Sequence, residues 1–260
     1  MNYPNIVRVL VTPAVASLCA VALISLQLPR LNVQQQQTDK AEYLKQEESE
    51  GLRLSLLKKM PSFGFNNLIA SWVYLNFIQY FGDGPVRQQT GYSLSPDYFE
   101  IIVNRNPRFV NAYFHLSPAT SLFAGRPDRS VALMAQGLQS ISPKTAPKAH
   151  MLWLYKGVDE LLFLGDTQAA RRSYQMAAQW ASLSKEPNSQ QVAARARETV
   201  QFLAKNPNSV LPRVNAWATI LSNARDDETR QLAIHNIIKL GGKVIISRDG
   251  ILQIKAPSEK

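Results

Sequence analysis

The chain has 260 residues, enough for one domain of ordinary size or two small ones besides a membrane segment. Hydrophobic residues make up 45% of it and there is a single cysteine, so neither a disordered chain nor a disulfide scaffold is expected. The net charge of +10 arises in residues 101–260, which hold 21 basic and 11 acidic side chains. A basic surface attracts anionic partners, but no basic run exceeds two residues, and a solvated face explains the excess as well.

An uncharged apolar segment near the N-terminus predicts a membrane anchor. Residues 9–28 contain Cys19 and no charged side chain, and Arg8 and Arg30 flank them. This length matches the ~20 residues that cross a hydrocarbon core. A cleaved signal peptide is the alternative, but the run is long and no small-residue cleavage site follows it. We expect residues 1–30 to anchor a single-pass protein in an inner, plasma or thylakoid-type membrane, with its soluble domain on the periplasmic or lumenal side.

After a polar tether at residues 31–40, residues 41–105 are expected to form N-terminal helices, with a loop at 84–95. The segment 63–81 holds seven aromatic residues and no charge, and turn-forming residues follow it. We predict a helix there. The side chains expected to pack inward are Leu68, Ile69, Trp72 and Phe77. The candidates for a partner or membrane surface are Trp72, Tyr74, Tyr80 and Phe81. Complete burial of the segment is the alternative.

Helices separated by short breaks are predicted through residues 106–240, since apolar residues recur there at helical spacing. The breaks fall at 125–127, 142–147, 165–166, 185–188, 206–208 and 225–227. Residues 241–260 then carry two β-rich runs around Arg248-Asp249-Gly250. An Asp-Gly pair between such runs favours a hairpin, which should pack on the last helices because a lone hairpin is marginal.

Part of this region resembles the tetratricopeptide repeat. In the better unit, Gly165-Asp166 is followed by Ala170, Tyr174 and Ala177, and Trp153 and Gly157 precede it. The weaker unit has Gly125, Ser130, Met134 and Gly137 at the corresponding sites. The resemblance covers residues 106–183 and implies an all-α fold of antiparallel helical repeats, an α-solenoid, in which glycines turn the chain and small residues let the helices approach. A plain helical bundle is the alternative.

Chemistry-bearing motifs are not evident in the sequence. The three histidines, His115, His150 and His235, are far apart and lack partners at metal-ligand spacing. Asp159-Glu160 lies within a predicted helix beside Lys156, and the acids at 226–228 suit a helix start. The expectation is therefore a protein that is not an enzyme, with no cofactor, no metal and no nucleic-acid partner.

The combination of an anchor and a repeat domain favours a membrane-tethered adaptor or scaffold. The whole layout is similar to membrane-anchored helical-repeat proteins of bacteria, cyanobacteria among them, which suggests a location and an architecture. Stacked helices form extended concave surfaces that bind protein partners, so assembly of a membrane complex is a fitting role. The alternative is a structural organiser whose basic part lies on a lipid surface.

Overall fold

The computed structural model describes residues 21, 40–205, 207–246, 252–255 and 257. The chain divides into two compact units, residues 1–45 and residues 46–260. The predicted membrane segment at 9–28, Cys19, most of the tether and the Arg248-Asp249-Gly250 turn lie outside the described residues. Among the helices that are described, none combines the length and hydropathy needed to span a membrane.

The described part is mostly helical and ends in a small antiparallel sheet, as the sequence predicts. Its α-helices are α1 Lys40–Lys59, α2 Asn66–Gly82, α3 Gly84–Thr90, α4 Ser95–Arg105, α5 Val110–Ser117, α6 Pro127–Leu138, α7 His150–Val158, α8 Thr167–Leu183, α9 Ser189–Ala204, α10 Val210–Asn223 and α11 Asp227–Lys239. Helices α5 and α7 each continue as a π-helical segment, Pro118–Phe123 and Asp159–Leu164. Strand β1 (Lys243–Ile246) pairs with β2 (Leu252–Lys255), with Lys243 opposite Lys255.

Aspartate side chains fix the starts of three helices. Asp166 accepts a hydrogen bond from the Ala169 amide at 2.8 Å, and Asp226 accepts one from the Thr229 amide at 2.7 Å. Such caps satisfy amides that have no partner within the helix. Asp83 does the same for α3, where Pro85 sits in the first turn. The loop expected at 84–95 is therefore wrong over Gly84–Thr90, because the cap and the proline start a helix there.

Buried side chains form one large core and two smaller ones. The large core joins α1, α2 and α4–α8, and its centre includes Phe77, Phe99 and Tyr113. A second core joins the end of the second π segment with α10 and α11, and the hairpin contributes to it through Val244 and Ile254. The third core is made of alanines where α8 meets α9. Small residues there let the two helix backbones come close.

The two π segments end in the same kind of turn. Gly125 and Gly165 both have positive φ, +64° and +73°, which glycine adopts at little cost. The amide one residue later donates back across the turn in both cases, from Arg126 to the Thr120 carbonyl and from Asp166 to the Glu160 carbonyl. The next helix starts two residues after each glycine. The sequence correctly places a glycine turn at both positions.

The second helix of each pair presents small residues to an aromatic side chain of the first. A Cβ atom on Gly137 would lie 1.9 Å from the Tyr113 hydroxyl, so the ring occupies the space that a larger residue would need. Forty residues further on, Trp153 packs against the alanine core that contains Ala177. The remaining predicted packing residues also lie in helix contacts. Met134 and Ala170 are fully buried, and a Cβ atom on Gly157 would lie 3.1 Å from the half-buried Tyr174.

Enlarging Ala170 tests this packing. Ala170→Leu should lower the free energy of unfolding by about 1–3 kcal/mol, because three added heavy atoms must enter a filled helix contact. Ala132→Leu is the matched control, since Ala132 is exposed on α6 and the change should stay within about 0.5 kcal/mol. Chemical denaturation of both variants measures the difference. Equal stability of the two would contradict the close approach at Ala170.

Candidate functional site

Nine large apolar side chains between residues 52 and 78 are exposed to solvent. We call this set the 52–78 surface. Its members are Leu52, Leu56, Met60, Phe63, Phe65, Leu68, Trp72, Leu75 and Ile78. The largest exposed fractions are 82% for Phe63 and 65% for Leu68. The Arg53 guanidinium lies 5.2 Å from the centre of the Trp72 ring, which places the α1 and α2 parts of the surface side by side.

The periodicity of α2 explains why this surface is exposed. Ala70, Val73, Phe77 and Tyr80 recur at helical spacing and are buried in the large core. Leu68, Trp72, Leu75 and Ile78 occupy the opposite face. The prediction that Leu68 and Trp72 pack inward is therefore wrong. Apolar residues surround almost the whole helix, so the sequence pattern does not single out the buried face.

Tyr80 was expected at a partner or membrane surface and is instead 8% exposed. Its hydroxyl donates to Glu47 at 2.9 Å, and its ring lies 3.8 Å below the Arg87 guanidinium. Burial raises the pKa of Tyr80 well above its ordinary value, so the hydroxyl stays protonated and can donate. Arg87 also pairs with Glu47 at 2.8 Å and donates to the Gly91 carbonyl. Tyr80 therefore fastens α1 and α3 to α2.

Tyr74 and Phe81 are half-buried and make contacts within the domain. The Tyr74 hydroxyl lies 3.0 Å from Nδ1 of His115, and its ring meets Phe109 edge-on. Phe81 packs against the rings of Tyr92 and Phe123. Of the four aromatic candidates, only Trp72 belongs to the exposed surface.

The amides of α2 are placed where water or protein can pair with them. Asn66, Asn67 and Gln79 are exposed, and Asn76 donates to the Trp72 carbonyl at 2.7 Å. This arrangement is expected, since burying an unpaired amide costs about 1–3 kcal/mol.

A polar cavity of 430 Å³ opens between α1, α2, α3 and α4. Its charged walls are Glu47, Glu50, Arg53 and Arg87. Glu47 pairs with Arg87 at 2.8 Å and Glu50 pairs with Arg53 at 2.5 Å. Tyr98 donates to Glu50 as well. The charges balance in pairs, so the cavity attracts neither anions nor cations strongly, and its groups serve to dock α1 on the helices beneath it.

Asp159, at the start of the second π segment, is a carboxylate only 1% exposed. Three serine hydroxyls donate to it: Ser117 at 3.2 Å, Ser121 at 2.7 Å and Ser130 at 2.7 Å. Burial raises the pKa of Asp159 to about 6, and the serine hydrogen bonds oppose that rise. The serines come from α5, the first π segment and α6, so one side chain joins both helices of the first pair to the second.

Glu160 makes the matching connection to α8. It is 3% exposed and accepts from the Ser173 hydroxyl at 2.6 Å. Lys156 donates both to Glu160 and, at 3.2 Å, to the Ser173 hydroxyl. The Asp159-Glu160 pair that the sequence shows as an acid cluster is thus an interior lock with its oxygens engaged. The sequence gives no sign of the serines, which come from distant positions along the chain.

The histidines are apart in the fold, as they are in the sequence. His150 is buried, with Nδ1 2.9 Å from the Pro147 carbonyl, while His115 bonds to Tyr74. Within the described ranges, no three His, Cys, Asp or Glu side chains are grouped so as to hold a metal ion. Comparison with known protein families, curated proteins and solved structures finds no match to this chain.

Replacing Asp159 separates its charge from its hydrogen bonds. Its pKa of about 6 in the folded protein lies above the ordinary 3.8, so the folded state holds the proton more tightly. The stability that this provides is complete below pH 3.8 and is lost as the pH rises through 6. Asp159→Asn should therefore gain stability relative to the natural protein between pH 4 and pH 7, by up to about 3 kcal/mol.

Asp159→Ala is the companion variant. It leaves the three serine hydroxyls without their acceptor and should cost at least ~2 kcal/mol at every pH. Denaturant midpoints measured from pH 4 to pH 7 should give parallel profiles for the two variants. A pH profile of Asp159→Asn that follows the natural protein would contradict a buried, charged Asp159.

Proposed function

We propose that the protein is a membrane-tethered helical adaptor that binds a protein partner through the 52–78 surface. The observation that carries the proposal is the exposure of nine large apolar side chains along two adjacent helices. Soluble domains seldom expose large contiguous apolar patches, and those that do commonly bind proteins or membranes there. Aromatic side chains such as Trp72, Phe63 and Phe65 are typical of interfaces.

The surface rests on a packed base, which favours binding with little reordering. Ala70, Val73 and Phe77 are buried directly beneath the exposed face of α2. Helix α1 is held from the other side by Lys58, which donates to Asp97 at 2.6 Å and to Glu100 at 2.8 Å. A surface that is already formed loses less conformational entropy when a partner binds.

A repeat architecture of the tetratricopeptide type supports the adaptor role. The glycine turns, the bonds across them and the following helix starts all recur 40 residues apart. The contacts of Tyr113 with Gly137 and of Trp153 with the Ala177 core recur at the same spacing. We infer two successive repeat units, α5–α6 and α7–α8, whose stacking gives the first four helices a stable platform.

The tether is the predicted membrane segment at residues 9–28, with the following domain proposed to lie on the periplasmic or lumenal side. Tethering confines the 52–78 surface to the neighbourhood of the membrane and raises its effective concentration towards membrane-bound partners. A partner that presents an apolar helix fits this arrangement, since an apolar helix buries its face in an apolar groove.

Site-specific photo-crosslinking in native membranes tests the proposal. A benzoyl-phenylalanine at position 68 or 75 should form an adduct of one defined mass with a protein. The matched position is 202, because Phe202 is also an exposed aromatic residue, 57% accessible, but lies on α9. The same adduct should not form there.

Loss of the adduct in a second variant makes the test specific. Trp72→Ser combined with Phe65→Ser should reduce the adduct about tenfold or more, since exposed aromatics dominate binding energies. The free energy of unfolding should change by no more than about 0.5 kcal/mol per substitution, because both side chains are exposed. Phe202→Ser should leave the adduct unchanged.

Association of the same surface with lipid is the second candidate, favoured by the exposed Trp72 and its neighbouring phenylalanines, which suit a membrane interface. Adducts with lipid at positions 68 and 75, and none with protein, would replace the adaptor with this alternative. The absence of any adduct at both positions would overturn the two together.

A further inference from the structure

A cavity of 560 Å³ lies at the other end of the domain, between the Gly125 turn, the second π segment, α10 and α11. We call it the Arg213 cavity. Its volume falls within the range of small-molecule sites. It is separate in sequence and in lining from the 52–78 surface, so an inference about it does not depend on the proposed function.

The floor and walls of the Arg213 cavity are apolar. Phe163 and Trp217 are 6% and 4% exposed and meet edge to face, with ring centres 5.7 Å apart. Leu164, Leu232 and Leu240 complete the apolar part of the lining. An apolar molecule of moderate size would bury its surface here.

The polar groups of the lining are mainly cations. Arg126, Arg213 and Lys239 face one carboxylate, Asp128. Arg126 holds both oxygens of that carboxylate, at 3.0 and 2.8 Å. Asp128 is therefore already neutralised. Neither Arg213 nor Lys239 has an acidic partner among the residues that the structure describes.

Two donors in the cavity lack acceptors. The Nε1–H of Trp217 is buried and has no hydrogen-bond partner in the described part of the chain, and the same holds for the Nε–H of Arg213. Leaving a buried donor unpaired costs about 1–3 kcal/mol. Burial lowers the pKa of Arg213 from its ordinary value, with no nearby carboxylate to offset the loss of water.

The position of Arg213 is built into the repeat turn. A Cβ atom on Gly165 would lie 2.3 Å from Cζ of Arg213, so the guanidinium occupies space that only glycine leaves open. The side chain is thereby held at the cavity wall instead of extending into solvent. Trp217 follows one helical turn later on α10 and faces the same space.

We propose that the Arg213 cavity binds an organic carboxylate that carries an apolar body. The carboxylate would accept hydrogen bonds from Arg213 and from Nε1–H of Trp217, with Lys239 adding positive charge at the mouth. A guanidinium fork matches the two oxygens of a carboxylate, which favours this anion over a compact point charge. The apolar body would pack against Phe163, Leu232 and Leu240.

Indole NMR of the full-length protein in lipid nanodiscs tests the proposal. The chain has four tryptophans, so ¹⁵N-tryptophan labelling gives few indole signals, and Trp217→Phe identifies the one that matters. The probe is 3-phenylpropionate, a soluble apolar carboxylate. We expect it to shift the Trp217 signal with a Kd on the order of 1 mM, as suits a ligand of this size.

Two matched ligands separate the parts of the proposal. The neutral 3-phenylpropanamide has the same shape without the charge and should bind at least about tenfold more weakly. Inorganic phosphate has the charge without the apolar body and should leave the Trp217 signal in place at the same concentration. A response to phosphate equal to that of the probe would overturn the assigned ligand class, and no response to the probe would overturn the site.

Variants of the cations complete the test. Arg213→Gln should weaken binding of 3-phenylpropionate about tenfold or more, whereas Arg195→Gln should have no effect, because Arg195 is exposed on α9 away from the cavity. The other indole signals and the melting temperature report whether Arg213→Gln remains folded. Should it unfold, Lys239→Gln serves instead, since Lys239 is exposed and its loss should still weaken binding. Unchanged binding in a folded Arg213→Gln variant would exclude the proposed contact.

Discussion

The middle of the domain depends on two neighbouring buried carboxylates. Asp159 gathers serine hydroxyls from α5, the first π segment and α6, and Glu160 gathers Ser173 and Lys156. A buried charge is costly unless it is paired or hydrogen-bonded, so each partner must stay in place while the carboxylates are ionised. The two side chains therefore fix how one helix pair sits on the next. Both of the proposed binding regions are carried by the framework that they hold.

The two ends of this framework differ in chemistry. At the first four helices, charged groups are matched in pairs, as in Glu47 with Arg87, and the unmatched feature is exposed apolar area. At α10 and α11 the apolar groups are enclosed, and the unmatched feature is positive charge at Arg213. An apolar face suits a macromolecular partner, whereas an enclosed cationic cavity suits a small anion. The domain can thus hold two different ligands without competition between them.

The sequence predicts helix positions far better than helix faces or distant contacts. Breaks at Gly125 and Gly165 are evident because glycine, caps and helical spacing are local signals. Helix α3 escapes prediction because Gly84-Pro85 resembles a turn until the Asp83 cap is seen. The outward face of α2 escapes it because apolar residues surround the helix. The Arg213 cavity and the serines around Asp159 could not be predicted, since each brings together residues of several elements.

The π segments also bear on how the domain arose. A π turn holds one more residue than the α turn it replaces, so it marks a place where a helix carries an added residue. Both segments stand at the end of the first helix of a pair, directly before the glycine turn. One insertion in an ancestral helix pair, followed by duplication of the pair, accounts for both. On that history the duplicated copies have since diverged in chemistry, because the place of Asp159 in the second copy corresponds, 40 residues earlier, to Ala119 in the first.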